Sequence, residues 1–240
     1  MSLFVNYMIS NKYNLVLIVS AINTNNLPLS YTAIRSHFTH HQRYEQTLKT
    51  IESIKKNIPN AFIVLVEGTE IPEDMLSVFK LSVNHIHQCH VIEEVYKHIN
   101  GPYKGLGEAN SLLSYLQSEH YKEHTSDFET ISKISGRYWI RDDFEWIMYD
   151  DKVVCNINYN NPHHPSGVNM STMFYTIGNK IKAVFIDALN KCCQHPEINN
   201  GIALEHVLPN CMILNNIQFY QKSLMRVEGE YGPWGGYVCH

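Results

Sequence analysis

The chain has 240 residues, 44% of them apolar and 18% charged, with a formal net charge of −4. That balance excludes a disordered chain and fits a folded domain with a sizeable core. It offers no strongly basic face, so nucleic acid is not an expected partner, and the longest apolar run, "LVLIVSAI", is far too short to span a bilayer.

The first residues carry no apolar core followed by a small-residue cleavage site, so neither a signal peptide nor a membrane anchor is expected. Cys89, Cys155, Cys192, Cys193, Cys211 and Cys239 show no framework spacing, which fits reduced thiols and a cytoplasmic location.

Residues 15–22 form a continuous apolar run, expected as a strand buried on both faces, as in a parallel sheet. A polar loop follows. Thr39 and Gln42 have capping-box spacing, and Tyr44, Leu48, Ile51, Ile54 and Ile58 then recur on one helical face. Pro59-Asn60 ends that helix, and "AFIVLVE" is a second strand. Strand, helix, strand reads as a parallel crossover.

The pattern continues with a helix from Pro72, a third strand in "VNHIHQCHVI", a helix over "GLGEANSLLSYLQSEHY" and a fourth strand, "FETISKIS". His85, His87 and Cys89 alternate on one strand face, a spacing zinc uses, but no fourth ligand is in view; a half-polar edge strand explains them equally. After Trp146, "KVVCNINYN" and "STMFYTI" read as strands, "KIKAVFIDALNKCCQ" as a helix, "GIALEHVLP" as a short helix ended by Pro209, and "CMILNNIQFY" as a strand. The glycine- and aromatic-rich "VEGEYGPWGGYV" reads as a loop or lid. The fold class expected is α/β, a mixed, mainly parallel sheet flanked by helices, in one domain over 1–240.

Ligands of open α/β sheets collect at the carboxyl ends of the strands. Four segments converge there on this topology: the loop after Ile22, Glu67 with Gly68, the turn "GPYKGLGEAN", and Gly136-Arg137-Tyr138. "KGLGE" sets Lys104, Gly105, Gly107 and Glu108 at a helix start, where free N–H groups favour phosphate, although two turn-forming glycines read the same way. Arg137, just past a strand end, suits bidentate pairing with a pyrophosphate; the plainer reading pairs it with Asp142 or Asp143. Arg35 and Arg43 flank the first loop and are further anion contacts or solvated charges.

The order of "VLIVSAI", "RYEQTLKTIESIKKNIPNAFIVLVEG", "KGLGEANSLL" and "KISGRYWI" resembles small A-type (Rossmann-like) glycosyltransferases, in particular those of large DNA viruses and of bacterial surface-polysaccharide clusters. The resemblance covers about three-quarters of the chain and weakens afterwards. It implies a GT-A-like fold, a nucleotide-sugar donor, a glycan or glycoprotein acceptor and, for a viral protein, the host cytoplasm. It implies a nucleotide-sugar-binding half, 1–146, and an acceptor-binding half, 147–240, with a mobile C-terminal tail. Ser20, Ile22 and Thr24 would then lie against the nucleotide and the Lys104 loop beside the diphosphate, with Tyr138 packing the donor and Trp234 of the tail stacking on a sugar.

The resemblance also implies an Asp-x-Asp motif holding manganese or magnesium. "ISGRYWI" stands in its place without a carboxylate. Two alternatives follow: Arg137 with Lys104 or Lys133 replaces the metal, or Asp142 or Asp143 reaches back to hold one. An inverting transfer needs a base, for which Glu205 and Asp143 are the candidates; a retaining one needs none. The competing classes are a non-catalytic nucleotide- or sugar-binding domain on the same fold and a nucleotidyltransferase.

Overall fold

The structure is a computed structural model that describes residues 12–162, 165–233 and 235–239. A seven-stranded sheet forms its centre. Its strands are β1 (Tyr13–Ser20), β2 (Ala61–Glu67), β3 (His85–Gln88), β4 (Phe128–Ser135), β6 (Lys152–Cys155), β9 (Phe174–Ile177) and β10 (Gln218–Gln221). They lie in the order β10-β6-β9-β4-β1-β2-β3. β1 runs parallel to β2 and β4, β2 to β3, and β6 to β10; β9 alone is antiparallel, between β4 and β6. The mixed, mainly parallel sheet expected from the sequence is present.

Residues 15–18 of β1 are fully buried, as a doubly covered strand requires. Val16 and Ile18 face α1 (His40–Asn57) and α2 (Glu73–Ser82) through Ile51, Ile54 and Phe79. Leu15 and Leu17 face the opposite layer, α4 (Lys104–Leu116), α6 (Lys182–Gln194) and α8 (Leu204–Leu214). Helix α1 starts at the expected capping box: the Thr39 hydroxyl accepts from the Gln42 amide at 3.2 Å, and the Gln42 side chain accepts from the Thr39 amide at 2.9 Å.

Five local expectations are corrected. The third strand stops at Gln88, and Cys89–Val91 is a helical turn. The helix after Lys104 is broken, because the Ser118 hydroxyl accepts from the Tyr121 amide and starts α5 (Glu119–His124). "KVVCNINYN" splits into β6 and the short β7 (Ile157–Asn158), which pairs with β8 (Asn169–Met170) rather than with the central sheet. Pro209 lies inside α8 instead of ending it, so the expected strand at 211–220 begins only at Gln218. One lost N–H is offset there by burial of Leu204, Val207, Leu208, Cys211 and Met212. The tail holds two strands, β11 (Val227–Glu230) and β12 (Tyr237–Cys239), paired antiparallel with each other and through β11 with β5 (Tyr138–Ile140). Gly229 marks a close approach: a Cβ there would lie 2.3 Å from the Arg137 carbonyl oxygen.

Candidate active site

A cavity of about 850 Å³, counting its open mouth, lies at the carboxyl ends of β1, β2 and β4. Ser20, Thr24, Arg35, Arg43, Lys104, Gly107, Glu108, Gly136 and Arg137, all singled out in the sequence, line it. A second cavity of about 840 Å³ shares Lys104, Glu108, Ser135 and Arg137 with the first and adds Thr172, Glu205, His206 and Tyr231. The two chambers therefore meet at a lysine and an arginine.

Gly136 lets the turn after β4 press against β1. A Cβ there would lie 3.0 Å from the Thr47 hydroxyl and 3.1 Å from the Ser20 Cβ. The Gly136 amide donates to the Val19 carbonyl at 2.9 Å, and the Thr47 hydroxyl donates to the Gly136 carbonyl at 3.1 Å. The turn aims Arg137 across the cavity mouth, and the C-terminal hairpin holds it: its Nε donates to the Glu230 carbonyl at 3.1 Å. Arg137 is only 8% exposed.

Arg43 is buried beside it and donates to the Ala21 carbonyl and, at 3.1 Å, to the Ser36 hydroxyl. Burial and then Arg137 lower its pKa to about 9. Lys104 is lowered to about 8, by burial first and by Arg137 next, against the opposing pull of Glu108 and Glu205. Burial raises the Glu108 carboxyl, but Lys133 and Lys104 outweigh it, so the net shift is downward. Lys133 is fully buried under the second chamber, with its ammonium on Glu108, the Thr172 carbonyl and, at 2.8 Å, the Ser135 hydroxyl. Thr172 in turn donates its hydroxyl to Glu205 at 2.8 Å.

The glycines of "KGLGE" have a packing role. A Cβ on Gly105 would meet the Leu204 nitrogen at 3.0 Å, and one on Gly107 the Ile99 Cα at 2.9 Å. The first contact joins the starts of α4 and α8, neither of which has a side-chain cap. The positive ends of both helices thus accompany the cations at the junction.

Other sequence candidates have structural partners. Arg35 reaches the cavity wall, but its guanidinium donates to the carbonyls of Leu27, Ile99, Asn100 and Gly101. It clamps the first loop to the end of α3 (Glu93–Asn100). Glu67 is fully buried and accepts from the Ile22 amide at 2.9 Å, the Thr69 amide at 2.9 Å and the Thr69 hydroxyl. Burial raises its pKa, and these hydrogen bonds oppose the rise. Ile22 and Glu67 thus build the floor behind the cavity. Tyr138 is buried in β5. Trp234 lies outside the described residues.

Asp142 and Asp143 stand apart. The three residues of β5 carry the chain away from Arg137 to another cleft, lined also by Lys49, Trp139 and Glu228. There Asp142 pairs with Lys56 at 2.7 Å, and Asp143 with Arg141 at 3.0 Å and Arg226 at 3.2 Å. The expectation that either reaches back to the anion site, as base or metal ligand, is corrected by this placement. The residues that do line the chambers do not fit a divalent metal: Glu108 is committed to Lys133, and among the described residues no cluster of three His, Cys, Asp or Glu side chains has metal-binding geometry. His85 and His87 instead belong to an edge strand, with His87 Nε2 2.9 Å from the Ser114 hydroxyl.

Tyr231, which the sequence offered with Trp234 for stacking on a sugar, lines the second chamber; sequence reasoning missed Thr47, Ser135, Thr172, His206 and Glu230. A threonine inside a helix or a glutamate in a glycine-rich tail carries no local signal of a site.

No family model and no curated protein matches the chain. Solved structures with similar architecture include the glycosyltransferase GlyE of Streptococcus pneumoniae, at 10% identity and TM-score 0.46, covering 88% of this chain and 45% of that one. A nucleoside-diphosphate-sugar pyrophosphorylase of Vibrio cholerae aligns at 12% identity and TM-score 0.47, covering 89% and 93%. Mouse xyloside xylosyltransferase 1 aligns at 7% identity and TM-score 0.46, covering 88% and 85%. The chain spans less than half the length of GlyE.

Proposed function

We propose that the protein is a glycosyltransferase that moves a sugar from a nucleoside diphosphate to a glycan or protein acceptor, with cationic side chains serving the diphosphate. One observation carries this reading: Arg43, Lys104 and Arg137 line the first cavity against a single lining carboxylate, Glu108. Burial first, and then the neighbouring Arg137, lower the proton affinity of Lys104 and Arg43. An anion of two or more charges relieves the repulsion among these cations.

The position suits the chemistry. The first chamber sits where open α/β sheets bind nucleotides. The second, lined by hydroxyls and Glu205, holds polar partners for a sugar. Arg137 and Lys104 border both, where the bond between sugar and diphosphate would lie. As that bond breaks, charge builds on the departing phosphate, and preorganised cations there lower the barrier. The acceptor hydroxyl would enter from the second chamber, beside the first turn of α8.

A binding domain without turnover would use the same cavity. The test is thermal shift with UDP, GDP, CDP and dTDP and their sugars in EDTA, followed by assay for released nucleoside diphosphate. Stabilisation by one nucleotide, lost in Arg137→Ala and in Lys104→Met, together with release from its sugar, is expected. Stabilisation without release supports the binding domain. Stabilisation only with manganese, or none, overturns the cation-based site.

A further inference from the structure

The two chambers differ in the charge they offer. Lys104, Glu108 and Arg137 stand at the junction and line both. Beyond the junction the ionisable groups that line the second chamber are Tyr138, Glu205, His206 and Tyr231, and Glu205 is the one carboxylate among them. Asn169, Ser171 and Thr172 add amide and hydroxyl groups. Glu205 sits in the first turn of α8, where the positive helix end favours the ionised carboxylate. Among the described residues that carboxylate has one hydrogen-bond partner, the Thr172 hydroxyl at 2.8 Å, and no ion pair.

Glu108 is neutralised within the protein, because its carboxylate is paired with the buried Lys133 ammonium. Glu205 has no such counter-ion among the described residues. The lysine whose charge it pulls on, Lys104, lies at the junction. A diphosphate bound there takes up the charge of Lys104 and Arg137. The sugar beyond it then meets hydroxyls, amides and one unbalanced carboxylate. Hydroxyl and ammonium groups donate hydrogen bonds to a carboxylate. A second carboxylate only accepts, and it adds a like charge in a cavity where water screens less well than in bulk.

We infer that Glu205 is a specificity-determining residue, which admits neutral and amino sugars as the sugar unit of the donor and excludes uronic acids. This rests on the glycosyltransferase reading and names the sugar class which that reading leaves open. A hydroxyl of a neutral sugar, or the ammonium of an amino sugar, gives the Glu205 carboxylate a second donor beside Thr172. A uronic acid brings no donor in its carboxylate, and the diphosphate already occupies the cations that would pair with it. Specificity here comes from repulsion of the wrong substrate as much as from attraction of the right one. Thr172 is then a positioning residue. Its hydroxyl holds Glu205, and its own carbonyl is held by the Lys133 ammonium.

The test is calorimetric titration with glucose 1-phosphate, glucosamine 1-phosphate and glucuronic acid 1-phosphate, which need no knowledge of the donor's base. It is run in EDTA at about pH 7.5, above the range in which imidazole ordinarily protonates, so that the charge on Glu205 is not masked. The three ligands share the phosphate and differ in the charge of the sugar. Wild type should bind glucuronic acid 1-phosphate at least about tenfold more weakly than glucose 1-phosphate, and glucosamine 1-phosphate no more weakly than glucose 1-phosphate. In Glu205→Gln the three affinities should converge to within about threefold. The variant should still bind inorganic pyrophosphate, which shows that the junction is intact. Glucuronic acid 1-phosphate bound as tightly as glucose 1-phosphate by wild type overturns the inference, and so does a difference that persists in Glu205→Gln. Pyrophosphate binding with no sugar 1-phosphate bound overturns it too, because the second chamber then takes no sugar. In each of these cases stabilisation by a nucleotide and release from its sugar, in the screen above, leave the glycosyltransferase reading standing. Absence of stabilisation by every nucleotide removes that reading and this inference with it.

Discussion

Gly105 of α4 lies against Leu204 of α8 so closely that a side chain on the glycine would begin 3.0 Å from the leucine nitrogen. This contact sets Lys104 and Glu108 beside Glu205 and His206, and so joins the two chambers. Replacement by valine should push the helix starts apart and cost about 1–3 kcal/mol, the usual range for overpacking. Urea unfolding measures the loss. Turnover should fall further than binding, because the displacement is greatest where the chambers meet; an unchanged kcat would show that the junction tolerates the shift.

The C-terminal hairpin should matter to a ligand at the strand ends on the other side of Arg137. In Gly229→Ala the new methyl would lie 2.3 Å from the Arg137 carbonyl oxygen and 2.4 Å from the Tyr138 ring. Neither atom can give way without moving β11 off β5. The variant should melt at a lower temperature and lose nucleotide-induced stabilisation. A variant that binds nucleotide as wild type does would separate Arg137 from the hairpin.

Anion affinity should depend on pH through Lys104. Its pKa is lowered to about 8 by burial and by Arg137, and an anion favours the protonated amine. The contribution is therefore present below pH 8 and lost as the pH rises through it. Calorimetric titration with inorganic pyrophosphate in EDTA, from pH 7 to 9, should show this decline. Lys104→Met should bind more weakly at pH 7 and with a flatter profile. An increase in affinity with pH would contradict the sign.

Lys133 and Glu108 form a buried pair, with the lysine side chain 1% exposed and the glutamate 14%. Lys133→Met would leave Glu108 without its partner and the Thr172 carbonyl without its donor. A loss of about 3–5 kcal/mol in urea unfolding is expected, as for other broken buried pairs. Adding Glu108→Leu should recover part of it. A single variant as stable as wild type would show that Lys104 suffices to hold the carboxylate.

The histidines on β3 predict acid sensitivity. His85 stacks on His120 with ring centroids 3.7 Å apart. Burial first, then His120 beside both, lowers His85 and His87 to about 4, against about 6.5 in an unfolded chain. The unfolded state therefore binds protons first, and the stability held above pH 6.5 is lost progressively down to about pH 4. Melting temperatures over that interval should fall less steeply in His85→Asn/His87→Asn than in wild type.

Much of the fold was legible locally. The apolar runs of β1 and β2 mark strands covered on both sides, and Thr39 with Gln42 marks the start of α1, because period and capping are properties of neighbouring residues. The strand-end position of Gly136 and Arg137 followed from the same runs.

Which hydrogen-bond donor meets which acceptor was decided only by the tertiary structure. Arg35 resembles an anion contact until its guanidinium is found on four backbone carbonyls. Asp142 and Asp143 are near Arg137 in sequence, but β5 carries them to another cleft. Pro209 marks a helix end locally, yet α8 continues through it because its apolar face is buried. The tail reads as loose, but Glu230 supplies the carbonyl that holds Arg137. Sequence pattern set the strands and helices of this protein because those interactions are short-range. The chambers depended on long-range packing, which brings together groups as distant in the chain as Lys104 and Glu205 and determines which charges remain for a ligand.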